Sequence, residues 1–165
     1  MKLKTKLLLY RPLIGIFILI LIATILLDYF YGGFYLAQSI ANFMASFFII
    51  FASLKIIKIE SFAEAYSSYD LIASHNSYYS HIYPFIELGL GLAYLFNYHL
   101  LIITWFTLIL MLINTLGVFL HLQNKRVIPC ACMGTVFRVP MSYVTLGEDL
   151  LMVAMAVSMI ILYYT

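Results

Sequence analysis

Cys130 and Cys132 are the only cysteines among the 165 residues, and Ala131 alone separates them. Met133 follows directly. Two thiols at this spacing leave three outcomes open: cycling with a disulfide, holding a soft metal ion, or remaining inert. A Cys-x-Cys disulfide is reachable but strained, and so easily reduced. Thiol exchange passes through a mixed disulfide. A complete disulfide generator needs a second pair, so here the second thiol must come from a partner protein. Structural zinc needs about four ligands, which one cysteine pair without a clear histidine pair does not supply. Cu(I) and Hg(II) accept near-linear coordination by two thiolates, with Met133 as an added thioether.

The residues around the pair bear on its reactivity. Lys125, Arg126 and Arg138 flank it, and nearby positive charge favours the thiolate. Pro129 removes a backbone donor just before the pair, Gly134 permits a turn after it, and Pro140 closes the segment. Glu87 is a carboxylate expected inside a membrane helix, where ionisable groups tend to mark sites. Two readings of it stay open: an interfacial carboxylate held by a helix dipole, or a proton or cation partner of the thiols. His121 lies nine residues before Cys130 and is a candidate ligand or base. Met152, Met155 and Met159 share one helical face. They suit either soft-metal contact or plain core packing. Asn114 suits an interhelical hydrogen bond.

These groups must be positioned by membrane helices. The chain is 65% hydrophobic and 10% charged, against about 25% charged in soluble domains, so a water-soluble fold is excluded. A hydrocarbon core of about 30 Å takes roughly 20 helical residues. Five stretches qualify: Leu13–Leu27, Phe34–Leu54, Ile82–Phe96, Leu100–Leu120 and Leu146–Tyr164. The first follows Lys2, Lys4 and Lys6 like a secretory signal. Asp28-Tyr29-Phe30-Tyr31 comes next, without a small-x-small cleavage pattern, so an uncleaved anchor is expected. Across 58–80, Ile59, Phe62, Ala63, Tyr66, Tyr69 and Ala73 recur at helical spacing. That run reads as a helix in the interface, docked on the bundle as a lid or brace. Ser61 with Glu64, and Thr145 with Glu148, read as capping boxes that start helices. Asp149 shares that helix-start reading. Pro84 reads as the first turn of the third span, with Glu87 about one turn in. Gly89 and Gly91 read as close helix contacts.

Under five crossings, all nine Lys and Arg fall on one side: Lys2, Lys4, Lys6, Arg11, Lys55, Lys58, Lys125, Arg126 and Arg138. The positive-inside rule makes that side cytoplasmic. The N-terminus and the cysteine segment are then expected in the cytoplasm, where thiols are kept reduced. Tyr29, Phe30, Tyr31, Tyr35, Tyr98, Tyr163 and Tyr164 are expected to form an aromatic belt on the other side.

Three segments together resemble a known family. They are Ser61–Leu71 with Phe62-Ala63-x-x-Tyr66 and Tyr69-Asp70, then Tyr83-Pro84-Phe85-Ile86-Glu87-Leu88, then 129–137 with Pro129-Cys130-Ala131-Cys132-Met133-Gly134. From about Phe43 to the C-terminus the chain resembles the MauE/DoxX-like redox-associated membrane proteins, in particular a bacterial branch regarded as heavy-metal-associated. Tyr10–Leu27 is similar to the extra leading helix of that branch. Some members also carry an N-terminal soft-metal-binding domain, which this chain is expected to lack. The resemblance implies a compact helical bundle with a Cys-x-Cys loop assigned to thiol redox or cofactor maturation. Cys130, Cys132, Gly134 and Glu87 fall on the motif positions.

The expected fold is therefore all-α: a polytopic membrane bundle of about five transmembrane helices. A leading anchor (residues 1–33) precedes a four-helix DoxX-like core with the Cys-x-Cys loop (34–165), and one helix is interfacial. The leading function is a thiol-redox accessory protein of the bacterial inner membrane, with Cys130 and Cys132 as the exchanging pair, supported by Arg126, Arg138, Gly134 and Glu87. The alternative is handling of Cu(I) or Hg(II) by Cys130, Cys132 and Met133. The expected partners are the lipid bilayer and either a thiol-bearing or a soft-metal-binding protein, and no nucleic acid. The topology predicts that a membrane-impermeant maleimide added to intact cells leaves Cys130 and Cys132 unlabelled. Efficient labelling would refute the cytoplasmic assignment.

Overall fold

The computed structural model describes residues 11–68, 70–123 and 143–164, all-helical apart from turns and short connections. Its elements are α1 (Arg11–Phe30), α2 (Leu36–Ile57), α3 (Ile59–Ser67), α4 (Ser77–Leu95), α5 (Leu100–Gln123) and α6 (Tyr143–Tyr164). Four of them are long and apolar enough to cross a membrane: α1, α2, α5 and α6. The chain is a multi-pass membrane protein whose outer faces meet lipid. Exposed Ile14, Ile18, Leu21 and Ile25 on α1 and Ile102, Ile109 and Leu116 on α5 are that lipid-facing surface.

α4 is more polar than these four, yet at 19 residues its helical length of about 28 Å matches the hydrocarbon core. Its partners show that it runs antiparallel to α2 through the depth of the bundle. Glu87 meets Lys55 near the end of α2, Tyr94 stacks on Phe48, and the turn residue Asn97 bonds Gln38 at the start of α2. α1 is antiparallel to α2 as well, through Phe17 on Phe47 and Asp28 on Ser39. α5 and α6 form a third antiparallel pair, through Thr104 with Met159 and Asn114 with Asp149. The helices therefore alternate. Arg11, Ile57, Ser77, Gln123 and Tyr143 lie at one end of the bundle, and Phe30, Leu36, Leu95, Leu100 and Tyr164 at the other. The expected belt residues Tyr29, Phe30, Tyr31, Tyr35, Tyr98, Tyr163 and Tyr164 are all exposed at this second end.

Several local expectations are corrected. α4 begins at Ser77, five residues before the expected Ile82, with Asn76 accepting from the Tyr78 amide as its N-cap. Pro84 is thus inside the helix rather than in its first turn, and Glu87 is too deep for the helix dipole to explain it. α3 begins at Ile59 directly after a kink at Lys58, so Ser61 is already helical and is no cap. α6 begins at Tyr143, so Thr145 is helical too. The interfacial run divides into α3 and a turn region, where Asp70 Oδ1 accepts from the amides of Ile72 and Ala73. α3 does brace the bundle: Phe62, Ala63, Ala65 and Tyr66 are buried, and Phe62 and Tyr66 pack on Tyr83.

The core is aromatic and sulfur-rich. Phe47, Phe48 and Phe51 of α2, Tyr83 and Tyr94 of α4, Met111 of α5, and Met152 and Met159 of α6 are buried in one cluster. The methionine face of α6 is therefore core packing, with the Thr104 hydroxyl donating to Met159 Sδ at 3.6 Å.

Of the two glycines read as close contacts, only Gly91 is one. A Cβ there would lie 2.8 Å from Ile49 Cγ1 and 3.0 Å from the Ile49 backbone nitrogen, whereas at Gly89 nothing lies within 4 Å. Gly91→Ala should therefore cost about 1–3 kcal/mol by overpacking against backbone, while Gly89→Ala should be neutral or stabilising. Thermal unfolding of both variants in detergent checks the contrast. Equal stability would show that α2 and α4 are not in contact at this point.

Candidate functional site

Each long helix of the core carries its apolar side chains as a buried stripe, and three of the stripes include a charged residue. On α2 the stripe runs Ala41, Met44, Ala45, Phe48, Phe51, Ala52 and then Lys55; on α4 it runs Tyr83, Glu87, Leu90 and Tyr94; on α6 it runs Asp149, Met152, Ala156 and Met159. Helical periodicity therefore aims Lys55, Glu87 and Asp149 inward, toward one another. The hydrophobic core holds them there, because turning any stripe outward would expose its aromatic and sulfur groups to the wrong neighbours.

The result is a buried ion cluster. Lys55 is 6% exposed and Glu87 3%. The Lys55 ammonium donates to both carboxylate oxygens of Glu87, at 2.6 Å to Oε1 and 2.5 Å to Oε2. The same ammonium lies 5.5 Å from the Phe62 ring centre and 5.0 Å from that of Tyr83. Both rings add cation–π attraction, worth about 2 kcal/mol or more when desolvated. Glu148 and Asp149, both buried, feel the Lys55 charge from α6. Asn114 Nδ2 of α5 donates to Asp149 Oδ1 at 3.4 Å. α3 and α4 thus contact the ammonium directly, and α6 brings Glu148 and Asp149 within reach of its charge, with Asn114 of α5 bonded to Asp149.

The cluster has more acceptors than donors. Among the described residues, Asn114 Oδ1, Glu148 Oε1, Asp149 Oδ2 and the Tyr83 hydroxyl have no hydrogen-bond partner. Among the described residues, Lys55 supplies the cluster's one cationic head. A buried charge is retained only when paired and hydrogen-bonded, so this imbalance is the most unusual chemical feature of the bundle.

A second polar cluster closes the opposite end. Asp28 is buried and accepts from Ser39 Oγ at 2.8 Å and Asn42 Nδ2 at 2.6 Å. Gln38 Nε2 donates to Asn42 Oδ1 and Asn97 Oδ1, and the Tyr31 hydroxyl donates to the Leu95 carbonyl. Both Asp28 oxygens are engaged. This network pins the leading helix and the α4–α5 turn to α2, which is a structural task.

The sequence-predicted site residues divide sharply. Glu87 is at the centre of the ion cluster, and Asn114 makes the interhelical bond expected of it. Cys130, Cys132, Met133, Gly134, Arg126 and Arg138 lie outside the described residues. Gln123 and Tyr143, which bracket that segment, are at the same end of the bundle as Lys55. Three site residues were misread. Lys55 was taken for an interfacial positive charge, and Glu148 and Asp149 for a helix start. Their signal was phase: Lys55 continues the α2 stripe three residues after Ala52, and Asp149 stands three before Met152 on α6. Among the described residues, no group of three or more His, Cys, Asp or Glu side chains is arranged to hold a metal ion.

Comparison with known proteins adds one finding. The family model described as methylamine utilisation protein MauE matches residues 33–162, nearly the whole of α2 to α6 and the segments between them. No curated protein and no solved structure matches the chain.

Proposed function

The chain belongs to the MauE family, and on that premise we propose that it is a membrane accessory protein of methylamine utilisation that exchanges disulfide and dithiol with a partner through Cys130 and Cys132. The observation that carries this reading is chain continuity. The segment with both cysteines joins Gln123 to Tyr143, and Glu148 and Asp149 follow within two turns of α6. The only thiols of the chain are thus tethered close, along the sequence, to its most unusual buried polar group.

The exchange needs no cofactor of its own. A Cys130 thiolate attacks one sulfur of a partner's disulfide, a mixed disulfide forms, and the partner's second sulfur leaves as thiolate. Cys132, once deprotonated, attacks Cys130 Sγ and expels the partner's first sulfur. The chain's dithiol is then oxidised to a disulfide, and the partner's disulfide is reduced. The two protons lost by Cys130 and Cys132 end on the partner's thiolates. Run backward, the same steps oxidise the partner. Arg126 and Arg138 favour the attacking thiolate. With one cysteine pair, the chain passes electrons only between itself and such a partner. The reading places the N-terminus and the cysteine segment in the bacterial cytoplasm, following the nine basic residues.

Cys132→Ser in native membranes, taken through a reducing-to-oxidising titration, should trap a mixed disulfide that runs as a larger species on non-reducing gels and collapses with reductant. If neither single cysteine variant traps a partner and the wild-type pair never oxidises, the redox reading fails.

A further inference from the structure

Among the described residues, the ion cluster holds three carboxyl groups, Glu87, Glu148 and Asp149, and one ammonium, that of Lys55. Glu87 takes that ammonium with both of its oxygens. Glu148 and Asp149, adjacent on α6, are left to share a low-dielectric site with little cationic compensation. Glu148 Oε1 and Asp149 Oδ2 have no donor among the described residues. The Tyr83 hydroxyl is an independent pointer to the same place. Tyr83 is 1% exposed, its ring centre lies 5.0 Å from the Lys55 ammonium, and its buried hydroxyl makes no hydrogen bond of normal geometry to a described residue. A phenol can donate to a carboxyl and also accept from one.

Among the described residues, the component missing is a donor that also removes negative charge. A neutral water would supply the hydrogen but leave the charge imbalance. A metal cation would be repelled by the ammonium at the centre, and the described residues form no metal-binding group. A proton meets both needs. We propose that Glu148 and Asp149 form a proton-binding site in which one carboxyl of the pair carries an exchangeable proton, with Lys55, Glu87 and Tyr83 as its neighbours.

The proton comes from the aqueous phase at the Arg11 end and bonds to a carboxylate oxygen of the pair. Release returns it to water, with no change in oxidation state. The groups that reach the pair are Lys55 from α2, Tyr83 and Glu87 from α4, and Asn114 from α5. Ionisable groups inside membrane bundles commonly belong to proton or ion pathways. The site is independent of the thiols, so it stands or falls separately from the redox reading.

Infrared difference spectroscopy of the full chain in nanodiscs tests this. At neutral pH, where exposed carboxyls are ionised, wild-type protein should give a protonated-carboxyl C=O band that moves down in D2O. The Cys130→Ser/Cys132→Ser protein should keep the band. Glu148→Gln/Asp149→Asn should lose it, and Glu60→Gln, at an exposed acid, should not affect it. Tyr83→Phe should shift the band without abolishing it, which guards against a variant that merely fails to fold. A wild-type spectrum with no such band at neutral pH overturns the proposal. So does a band that survives the double carboxyl substitution, or one that sodium or potassium removes at constant pH.

Discussion

The arrangement of this bundle follows from one ammonium group buried where four membrane helices meet. An isolated charge in a low-dielectric interior carries a desolvation penalty of several kcal/mol even after relaxation. Lys55 is tolerated because Glu87 accepts its hydrogen bonds at 2.5–2.6 Å and two aromatic rings flank it. Those contacts fix the register of α2 against α4 and bring α3 down as a brace. The close approach at Gly91 belongs to the same interface, because the helices must be near for Lys55 to reach Glu87. In lipid the tails are as apolar as leucine, so packing and polar contacts decide which helix faces meet. A single misplaced register would strand the charge, and this gives the pair its power to specify one arrangement.

The two ends of the bundle use polar groups differently. At the aromatic end, Asp28 has donors for both oxygens and holds the leading helix in place. At the basic end, oxygens of Glu148, Asp149 and Asn114 and the Tyr83 hydroxyl stay without partners among the described residues. A fully satisfied network is rigid, whereas a partly satisfied one stores the capacity to bind. The contrast makes the Lys55 end the chemical end of the molecule, and the cysteine-bearing segment departs from and returns to that end.

Much of the fold was legible in the sequence, because apolar length and aromatic placement mark membrane helices directly. The five long helices extend the expected spans by zero to five residues at their N-terminal ends, apart from α2, which starts two residues late. The ends were less legible for specific reasons. Ser77, Ser80 and His81 made the first turns of α4 read as loop, and Pro84 then read as the start. Lys55 was assigned to an interface because a lysine after an apolar run ordinarily sits there. Glu148 and Asp149 were assigned to a cap because acidic residues ordinarily open helices. Only helical phase distinguishes a flanking charge from one that continues a buried stripe, and phase becomes decisive only when the partner stripes are known. The ion cluster is a property of three helices together, which no single segment encodes.

The central claim is that one buried cation organises three carboxyls, and its energetics are asymmetric. Lys55→Met leaves three buried acids with no counter-charge among the described residues, whereas Glu87→Gln leaves Lys55 with Glu148 and Asp149 close by. Reversible unfolding of both variants in mild detergent measures the difference. The account predicts a loss of about 3–5 kcal/mol for Lys55→Met, the range for breaking a buried pair, and a clearly smaller loss for Glu87→Gln. Losses within about 0.5 kcal/mol of wild type for both, as at surface positions, would contradict it, and so would a larger loss for Glu87→Gln.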